Sequence, residues 1–522
     1  MKKLYSLAII AFSIIIATGC KKEFADNFKN PNQAEHIPPG LLFNGVLNDM
    51  FEAPFSSAER WNQYTAANYS YYSTNNYDWK GADFNFTTLK NVVKMEEEAS
   101  LQGGQGAAPY LAMAKFFKAY FFIRMSLKVG DLPMTEALKG SANLKPKYDS
   151  QKTIFRQSLN WLEEANKEIA ALVKTGNTEL KGDIYLKNNL LAWQKVINTF
   201  RLRTLIQLSK QVNDPDLQIK QQFAMILSTP DQYPIMTGMS DNLQYVYNEN
   251  MNKYPNNKDN FGNDALRYNM AATYLNTLSE LQDPRAYAAA EPARGIAESK
   301  GYAITDYRNF VGASTGEDQG VMLDKVQKGL YSLINRARYY NGYTAENTFI
   351  ISYPELCFTI AEAANRGWIS TENAELWYKK GIQASISFYG FRDGDNTVTF
   401  LKKGGKLGDY ETHTIKFDFE NVYYVQPAVK YAGNTPEGLK QILTQKYLAF
   451  FRNSGFEAYY QYRRTQIPMF LTGPGVGNSE RIPMRFQYPD LERTTNAENL
   501  SQALNAQYGG KDDINLSPWI TK

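Results

Sequence analysis

The chain has 522 residues, of which 43% are hydrophobic and 21% are charged, a composition typical of a folded protein with a sizeable core. Its formal net charge is only +4, so the sequence provides neither a broad basic surface for nucleic acid nor an acidic tail. Aromatic residues reach 14%, with 36 tyrosines, which is high. Length alone allows more than one domain, so the number of domains has to be inferred from the pattern of elements.

The N-terminal residues predict export and lipid attachment. Two lysines precede the apolar run 4–16, which has the length of a signal-peptide core and is too short to span a bilayer. Residues 17–20 read Ala-Thr-Gly-Cys, similar to the lipobox of bacterial lipoproteins, in which the cysteine is acylated. We therefore expect a signal peptide at 1–19, a lipid anchor on Cys20 and a polar, proline-containing tether over 20–40. The alternative is an ordinary signal peptide followed by a chance cysteine.

Helical periodicity dominates the chain after the tether. A first helix is predicted near residues 41–50. Apolar residues then recur at three- and four-residue spacing over 110–125, and Gly130 is a natural end for that helix. Two further stripes of the same kind, over 154–169 and 186–200, predict two more helices.

The clearest helix pair lies in the C-terminal half. One apolar stripe covers 356–364 and ends at Gly367, and a second covers 374–389. Ser370 or Thr371 is the predicted N-cap of the second helix. Two helices joined by a short glycine-containing turn form a tetratricopeptide-like unit, although no fixed repeat period runs through the chain.

Long segments rich in Gly, Asn, Tyr and Pro separate the helical stretches. Polar and apolar residues alternate near 397–417, which predicts a small β-hairpin. The fold class is therefore mainly α, with helix pairs as the scaffold and long irregular loops between them. Because long loops on a helical scaffold are usually functional or disordered, the aromatic content of these loops favours ordered, functional ones.

A series of short motifs, beginning with GDLPMTEA at 130–137, follows one another along the chain. The others are 146–155, 182–185, 201–203, 281–285, 310–316, 351–356, 361–363, 463–465 and 482–489. Together with the lipobox, this order resembles the SusD/RagB family of Bacteroidetes surface lipoproteins. The likeness is greatest to the SusD-like branch described as starch-binding and outer-membrane-associating, and it covers essentially the whole mature chain.

The resemblance implies a fold, a location and a partner. It implies one SusD-like domain over 41–522, with tetratricopeptide-like helix pairs on one side and irregular loops on the other. It also implies a lipid-anchored protein on the outer face of the outer membrane. Such a protein binds an oligosaccharide, or in some members a peptide, and delivers it to a SusC-like TonB-dependent transporter. The resemblance implies no catalytic centre and no obligatory cofactor.

The segment 61–79 is the first candidate for the ligand site. Seven of its 19 residues are aromatic, and most of the others are small polar residues or amides. Rings suit the C–H faces of a sugar, while amides and carboxylates suit its hydroxyl groups. The candidate ligand-binding residues are Trp61, Tyr64, Tyr72, Asn75, Asn76, Tyr77, Asp78 and Trp79. Because Trp61, Tyr64 and Tyr72 keep helical spacing, core packing is an equally good interpretation of those three.

A second candidate loop covers 336–343 and contributes Arg338, Tyr339 and Asn341. The alternative for this loop is a solvated surface or a contact with the transporter. The family has no fixed ligand motif, so the resemblance assigns no contact residue individually.

Catalysis has little support in the sequence. The two histidines, His36 and His413, form no Ser-His-Asp or Cys-His arrangement, and no metal-ligand spacing occurs. The densest carboxylate run, 96–98, is interpreted as a solvated helix face. Composition leaves carboxylate pairs open, so a surface glycoside hydrolase stays as the enzyme alternative.

Two further alternatives involve no catalysis. The same pocket could take peptides, in which case affinity would follow ionic strength, whereas stacking on a neutral sugar would ignore it. The protein could also be a structural cap on a transporter, with no ligand affinity of its own.

Overall fold

The computed structural model describes residues 36–522, so the predicted signal peptide, Cys20 and most of the tether lie outside the described residues. Most of the regular structure is helical, which confirms the predicted fold class. The helices are α1 (Pro39–Asn48), α2 (Ser57–Trp61), α3 (Phe86–Gln102), α4 (Gly104–Val129), α5 (Gln151–Lys174), α6 (Leu190–Gln207), α7 (Ile219–Ser228), α8 (Phe261–Arg267), α9 (Ala272–Glu280), α10 (Arg285–Ala289), α11 (Arg294–Lys300), α12 (Gln319–Gln327), α13 (Arg336–Tyr339), α14 (Tyr353–Asn365), α15 (Ala374–Phe388), α16 (Pro436–Ala449), α17 (Glu457–Thr465), α18 (Asp490–Thr495) and α19 (Ala497–Tyr508). Among residues 36–522, every helix is too short or too polar to cross a bilayer.

Among residues 36–522, six short strands form three antiparallel pairs. The strands are β1 (Thr65–Ala67), β2 (Leu243–Tyr245), β3 (Tyr268–Met270), β4 (Thr348–Ile351), β5 (Gly394–Leu401) and β6 (Tyr410–Phe417). Strand β1 pairs with β3, β2 with β4, and β5 with β6. The β5–β6 pair is the predicted hairpin, which the structure confirms.

The scaffold consists of helices that pack against their neighbours in the chain. Helices α3 to α6 pack successively, and α14 packs against α15, α16 and α6. Gly381 of α15 lies against the ring of Phe358 of α14, and a Cβ at this glycine would come within 2.8 Å of that ring. Such close approach at a small residue is how the helix pairs of a tetratricopeptide-like scaffold fit together.

The helix ends show where local sequence was sufficient and where it was not. Helix α4 stops at Gly130, which has a φ of 102°, so the predicted end is confirmed. The predicted N-cap of α15 at Ser370 or Thr371 is wrong. Asn373 caps the helix, because its Oδ1 accepts a hydrogen bond from the backbone N–H of Leu376 at 2.9 Å.

One hydrophobic cluster runs through the described residues from Phe43 to Ile520. Charged residues of the motifs are anchored inside it. Arg285 is fully buried and donates to both carboxylate oxygens of Asp283, at 2.9 and 2.6 Å. Arg463 donates to the carbonyl oxygen of Leu127 at 2.7 Å. The motif residues Arg285 and Arg463 therefore bind within the scaffold.

Candidate ligand-binding site

Strand β1 leads directly into a loop that Asn75 closes. The side-chain Oδ1 of Asn75 accepts from the backbone N–H of Ala67 at 2.7 Å, and its Nδ2 donates to the Ala67 carbonyl oxygen at 3.0 Å. Asn75 is buried, so both bonds are shielded from water. We call residues 68–74 the tyrosine loop.

Two further side chains hold the tyrosine loop. Gln319, the first residue of α12, donates from Nε2 to the carbonyl oxygens of Ala67 at 2.9 Å and Ser73 at 3.0 Å. Arg60 of α2 donates from Nε to the carbonyl oxygen of Thr74 at 3.2 Å. The backbone of the loop is therefore tied at its ends to α12, which is distant in sequence, and to α2, which precedes β1.

Three tyrosine rings project from this loop into solvent. Tyr71 is 81% exposed, and Tyr69 and Tyr72 are each 46% exposed. The Tyr71 and Tyr72 rings meet edge to face with centroids 4.9 Å apart, and the Tyr69 ring lies 5.5 Å from that of Tyr72. An exposed cluster of rings on a backbone held at both ends is a suitable platform for a ligand with apolar faces.

Helix α8 and strand β3 lie beside the tyrosine loop. Asn68 donates from Nδ2 to the carbonyl oxygen of Leu266 at 2.9 Å and to Oδ1 of Asn269 at 3.0 Å. The guanidinium carbon of Arg267 lies over the Tyr72 ring, 2.9 Å from its centroid. A cation stacked on a ring in this way fixes the orientation of the ring.

Three of the predicted ligand-binding rings are brought together with one another, but within the protein. The Trp79 ring is 1% exposed and stacks on Phe486, with centroids 4.1 Å apart. The rings of Trp61 and Tyr77 each lie 5.6 Å from that of Trp79. Tyr77 is also buried, and Trp61 is partly buried and donates from Nε1 to the carbonyl oxygen of Asn76 at 3.0 Å. Their expected place in the ligand site is therefore corrected, because the three rings pack on one another and Trp79 also stacks on Phe486.

The remaining predicted residues of this segment have different surroundings. Tyr64 is fully buried and donates from its hydroxyl to the carbonyl oxygen of Tyr447 at 2.7 Å. Its role is core packing, the alternative that its helical spacing left open. Asn76 and Asp78 are exposed, and Asp78 lies 3.7 Å from the ammonium group of Lys80. Of the predicted set, Tyr72 is the ring that faces solvent.

The second predicted loop is bound to the scaffold. Arg338 donates from Nε to Glu346 at 3.0 Å, and the Tyr339 ring is fully buried. Asn341 is exposed, and its Oδ1 accepts from the hydroxyl of Tyr410 at 3.0 Å. The structure thus places Arg338 and Tyr339 together around Glu346 and leaves Asn341 at the surface.

Sequence reasoning missed three residues of the candidate site. Tyr69 and Tyr71 are absent from the predicted set, although both rings are exposed on the loop. Three tyrosines and one serine in a row at 69–72 are the local signal. Arg267 gave no local signal, because only the pairing of β1 with β3 brings it to the loop. Within 36–522, no group of three or more His, Cys, Asp and Glu side chains is placed to hold a metal ion.

The family-model comparison agrees with this architecture. Residues 31–489 match the model for SusD-like proteins described as starch-binding and associating with the outer membrane. The chain therefore belongs to the SusD-like family of nutrient- and carbohydrate-binding outer-membrane proteins. None of the curated proteins matches it.

Solved structures of Bacteroidetes proteins share the fold over almost the whole chain. A SusD homologue from Bacteroides fragilis is 28% identical, with a TM-score of 0.78, and the match covers 93% of this chain and 100% of that one. A protein of Bacteroides vulgatus, proposed to be an outer-membrane protein involved in nutrient binding, is 30% identical, with a TM-score of 0.76 and the same coverage. A chitin-binding SusD homologue from Flavobacterium johnsoniae is 19% identical, with a TM-score of 0.68 over 93% of this chain and 98% of that one. At that identity, the last likeness concerns the fold alone.

Proposed function

We propose that this protein captures an oligosaccharide on the tyrosine loop and delivers it to a SusC-like TonB-dependent transporter in the outer membrane. The observation that supports the proposal is the cluster of Tyr69, Tyr71 and Tyr72, which is exposed on a loop closed by Asn75. Family membership supports carbohydrate binding at the outer membrane.

The loop has the physical properties that a sugar platform needs. Tyrosine rings present flat apolar area and lose little rotamer entropy when a ligand docks. Because side-chain bonds already hold the loop backbone at both ends, binding does not have to order it, and less of the interaction energy is lost. Hydroxyl groups of the three tyrosines add donors and acceptors at the edge of the platform.

The N-terminal sequence and the family support the proposed location. In the proposal, residues 1–19 are removed, Cys20 is acylated, and residues 20–40 tether the domain 41–522 to the outer membrane with its loops at the cell surface. Membrane fractionation and palmitate labelling of a Cys20 variant test this location. Replacing Cys20 by Ala should release the protein from the membrane fraction, and radiolabelled palmitate should fail to enter the variant.

Peptide binding is the principal alternative, and a surface glycoside hydrolase is the enzyme alternative. Both concern the same exposed loops, and both are outcomes of one binding experiment. Soluble residues 21–522 are titrated by calorimetry with a panel of oligosaccharides and peptides, and product analysis after overnight incubation detects cleavage. We expect a sugar to bind without being cleaved.

Tyr71→Ala locates the site. Truncating a central contact ring typically costs about 2 kcal/mol or more of binding energy, so affinity should fall at least about thirtyfold. The matched control is Tyr343→Ala, in the second predicted loop, whose hydroxyl donates to Asp259 at 2.9 Å. Loss of affinity in the control but not in Tyr71→Ala would move the site to residues 336–343. If only peptides bind, peptide capture replaces sugar capture as the proposed function. If nothing in the panel binds, the transporter-cap interpretation is favoured.

Delivery needs its own test. The tagged, full-length protein is purified from membranes of its native host after mild solubilisation. A copurifying TonB-dependent β-barrel supports the partner, and its absence at physiological expression would contradict delivery.

A further inference from the structure

Arg267 stacks on an aromatic ring without a carboxylate partner among residues 36–522. Its guanidinium lies over the Tyr72 ring, beside two exposed tyrosines. No described carboxylate lies within 4.0 Å of it, including Asp264 one turn earlier in α8. Stacking on a ring partly desolvates a guanidinium without neutralising it, so Arg267 brings a positive charge to the candidate site.

Another arginine of the same fold shows what a partnered stack looks like. Arg308 lies over the Tyr302 ring at 3.8 Å, and its Nε donates to Asp306 at 2.9 Å. There the face of the guanidinium contacts the ring, and its N–H groups bind the carboxylate. At Arg267 the ring is present and the carboxylate is missing from the described residues, which leaves the in-plane N–H groups for a ligand.

A second positive charge lies at the C-terminal end of the tyrosine loop. Arg60 uses Nε for the carbonyl oxygen of Thr74 and lies over the Tyr268 ring at 5.9 Å. Burial lowers the pKa of its guanidinium, an effect that Tyr268 opposes. Asp318, the N-cap of the supporting helix α12, accepts from the N–H of Gly320 at 2.8 Å. Arg267 and Arg60 therefore bring two positive charges to the loop, on a chain whose net charge is close to neutral.

We propose that the ligand of the tyrosine loop is an acidic glycan, whose carboxylate pairs with Arg267 while its sugar rings lie on Tyr71 and Tyr69. The inference rests on the proposed function, because it assigns a ligand class to the same site. The planar guanidinium over Tyr72 has parallel N–H donors, which match the two oxygens of a uronate carboxylate. A neutral sugar would leave this charge without a partner in a partly desolvated site.

Matched ligands make the test specific. The probes are oligogalacturonate and its methyl ester, alginate and hyaluronan oligosaccharides, neutral chito- and cello-oligosaccharides, and an acidic peptide. Calorimetry on residues 21–522 should show binding of a uronate-containing probe that weakens as NaCl rises. Removing the charge-assisted pair in Arg267→Gln should lower that affinity roughly ten- to hundredfold. Arg308→Gln, which removes a stacked arginine that already has a carboxylate, should change nothing.

The ratio of affinities for an acidic probe and its neutral counterpart separates charge recognition from a structural role. Arg267→Lys should retain the salt dependence and part of the preference, because it keeps the charge but not the planar fork. A merely structural arginine would lower both affinities equally, and that result would overturn the inference. A parent protein that binds neutral sugars but none of the uronate probes, and loses that binding in Tyr71→Ala, would also overturn it, while the proposed function would stand. Preference for the acidic peptide, or no binding at all, would overturn both.

Discussion

The closure of the tyrosine loop by Asn75 leads to a sharp prediction. Asn75→Ala removes two hydrogen bonds to Ala67, of 2.7 and 3.0 Å. Each is worth about 0.5–1.5 kcal/mol net, and the orphaned Ala67 N–H adds roughly 1–3 kcal/mol if it stays buried. The Ala67 carbonyl oxygen keeps a partner, because Gln319 still donates to it at 2.9 Å. We therefore expect the closed loop to lose about 2–6 kcal/mol relative to open conformations.

Hydrogen exchange measures this loss without any ligand. Peptides covering 66–76 should exchange faster in Asn75→Ala, by roughly thirtyfold for each 2 kcal/mol of lost closure energy, because exchange follows local opening. The helices of the scaffold should exchange as in the parent, since the hydrophobic cluster is untouched. Affinity for a bound glycan should fall as well, because the platform would have to be ordered on binding.

Asn76→Ala is the matched control. Asn76 is the next residue, of the same type, and it contributes its backbone oxygen to Trp61, whereas its side chain is exposed. We expect no change in exchange over 66–76 in this variant. Equal exchange in Asn75→Ala and the parent would show that the amide does not hold the loop, and the reasoning would be refuted.

Other predictions concern stability and pH. Trp79→Ala should lower the free energy of unfolding by about 3–5 kcal/mol in urea titrations, and a variant of parental stability would contradict its core position. Asp283→Asn leaves Arg285 buried without its charged partner and should lower the free energy of unfolding by about 3–5 kcal/mol. Asp306→Asn, at an exposed pair, should lower it by no more than about 1 kcal/mol. Equal shifts of the melting temperature in the two variants would refute this. Burial raises the pKa of Glu59 to about 8 from 4.5, so the folded chain retains a proton that the unfolded chain releases. That stabilisation is fully present below pH 4.5 and lost as pH rises through about 8. Glu59→Gln should therefore reduce the loss of unfolding free energy between pH 5 and 9 by a few kcal/mol. Parallel profiles of stability against pH for the variant and the parent would refute this.

Features set by local sequence were predictable. The end of α4 at Gly130 needs only a residue that accepts positive φ, and the β5–β6 hairpin follows from alternation within one short segment. The charge pair of Asp283 and Arg285 is likewise local, two residues apart. These elements required no knowledge of distant parts of the chain.

The candidate site depended on contacts between distant segments, and there local pattern failed. Trp79 is buried because Phe486, from the C-terminal part of the chain, stacks on it. The amide of Asn75 is of a kind that binds sugar hydroxyl groups, but it donates a hydrogen bond to the backbone eight residues earlier. Tyr72 faces solvent beside Arg267 because β1 pairs with β3. A ring or an amide has the same local appearance in a core, in a loop closure and in a ligand site.

The closure of the tyrosine loop also bears on how such a protein diversifies. Asn75 and Gln319 bond to main-chain atoms of residues 67 and 73, so they hold the loop whatever side chains its tip carries. Positions 69–72 can therefore change identity at little cost to folding, while the stem stays constant. A gene lineage facing new polysaccharides could replace the tip alone, and the same separation makes these positions a natural place for a randomised library.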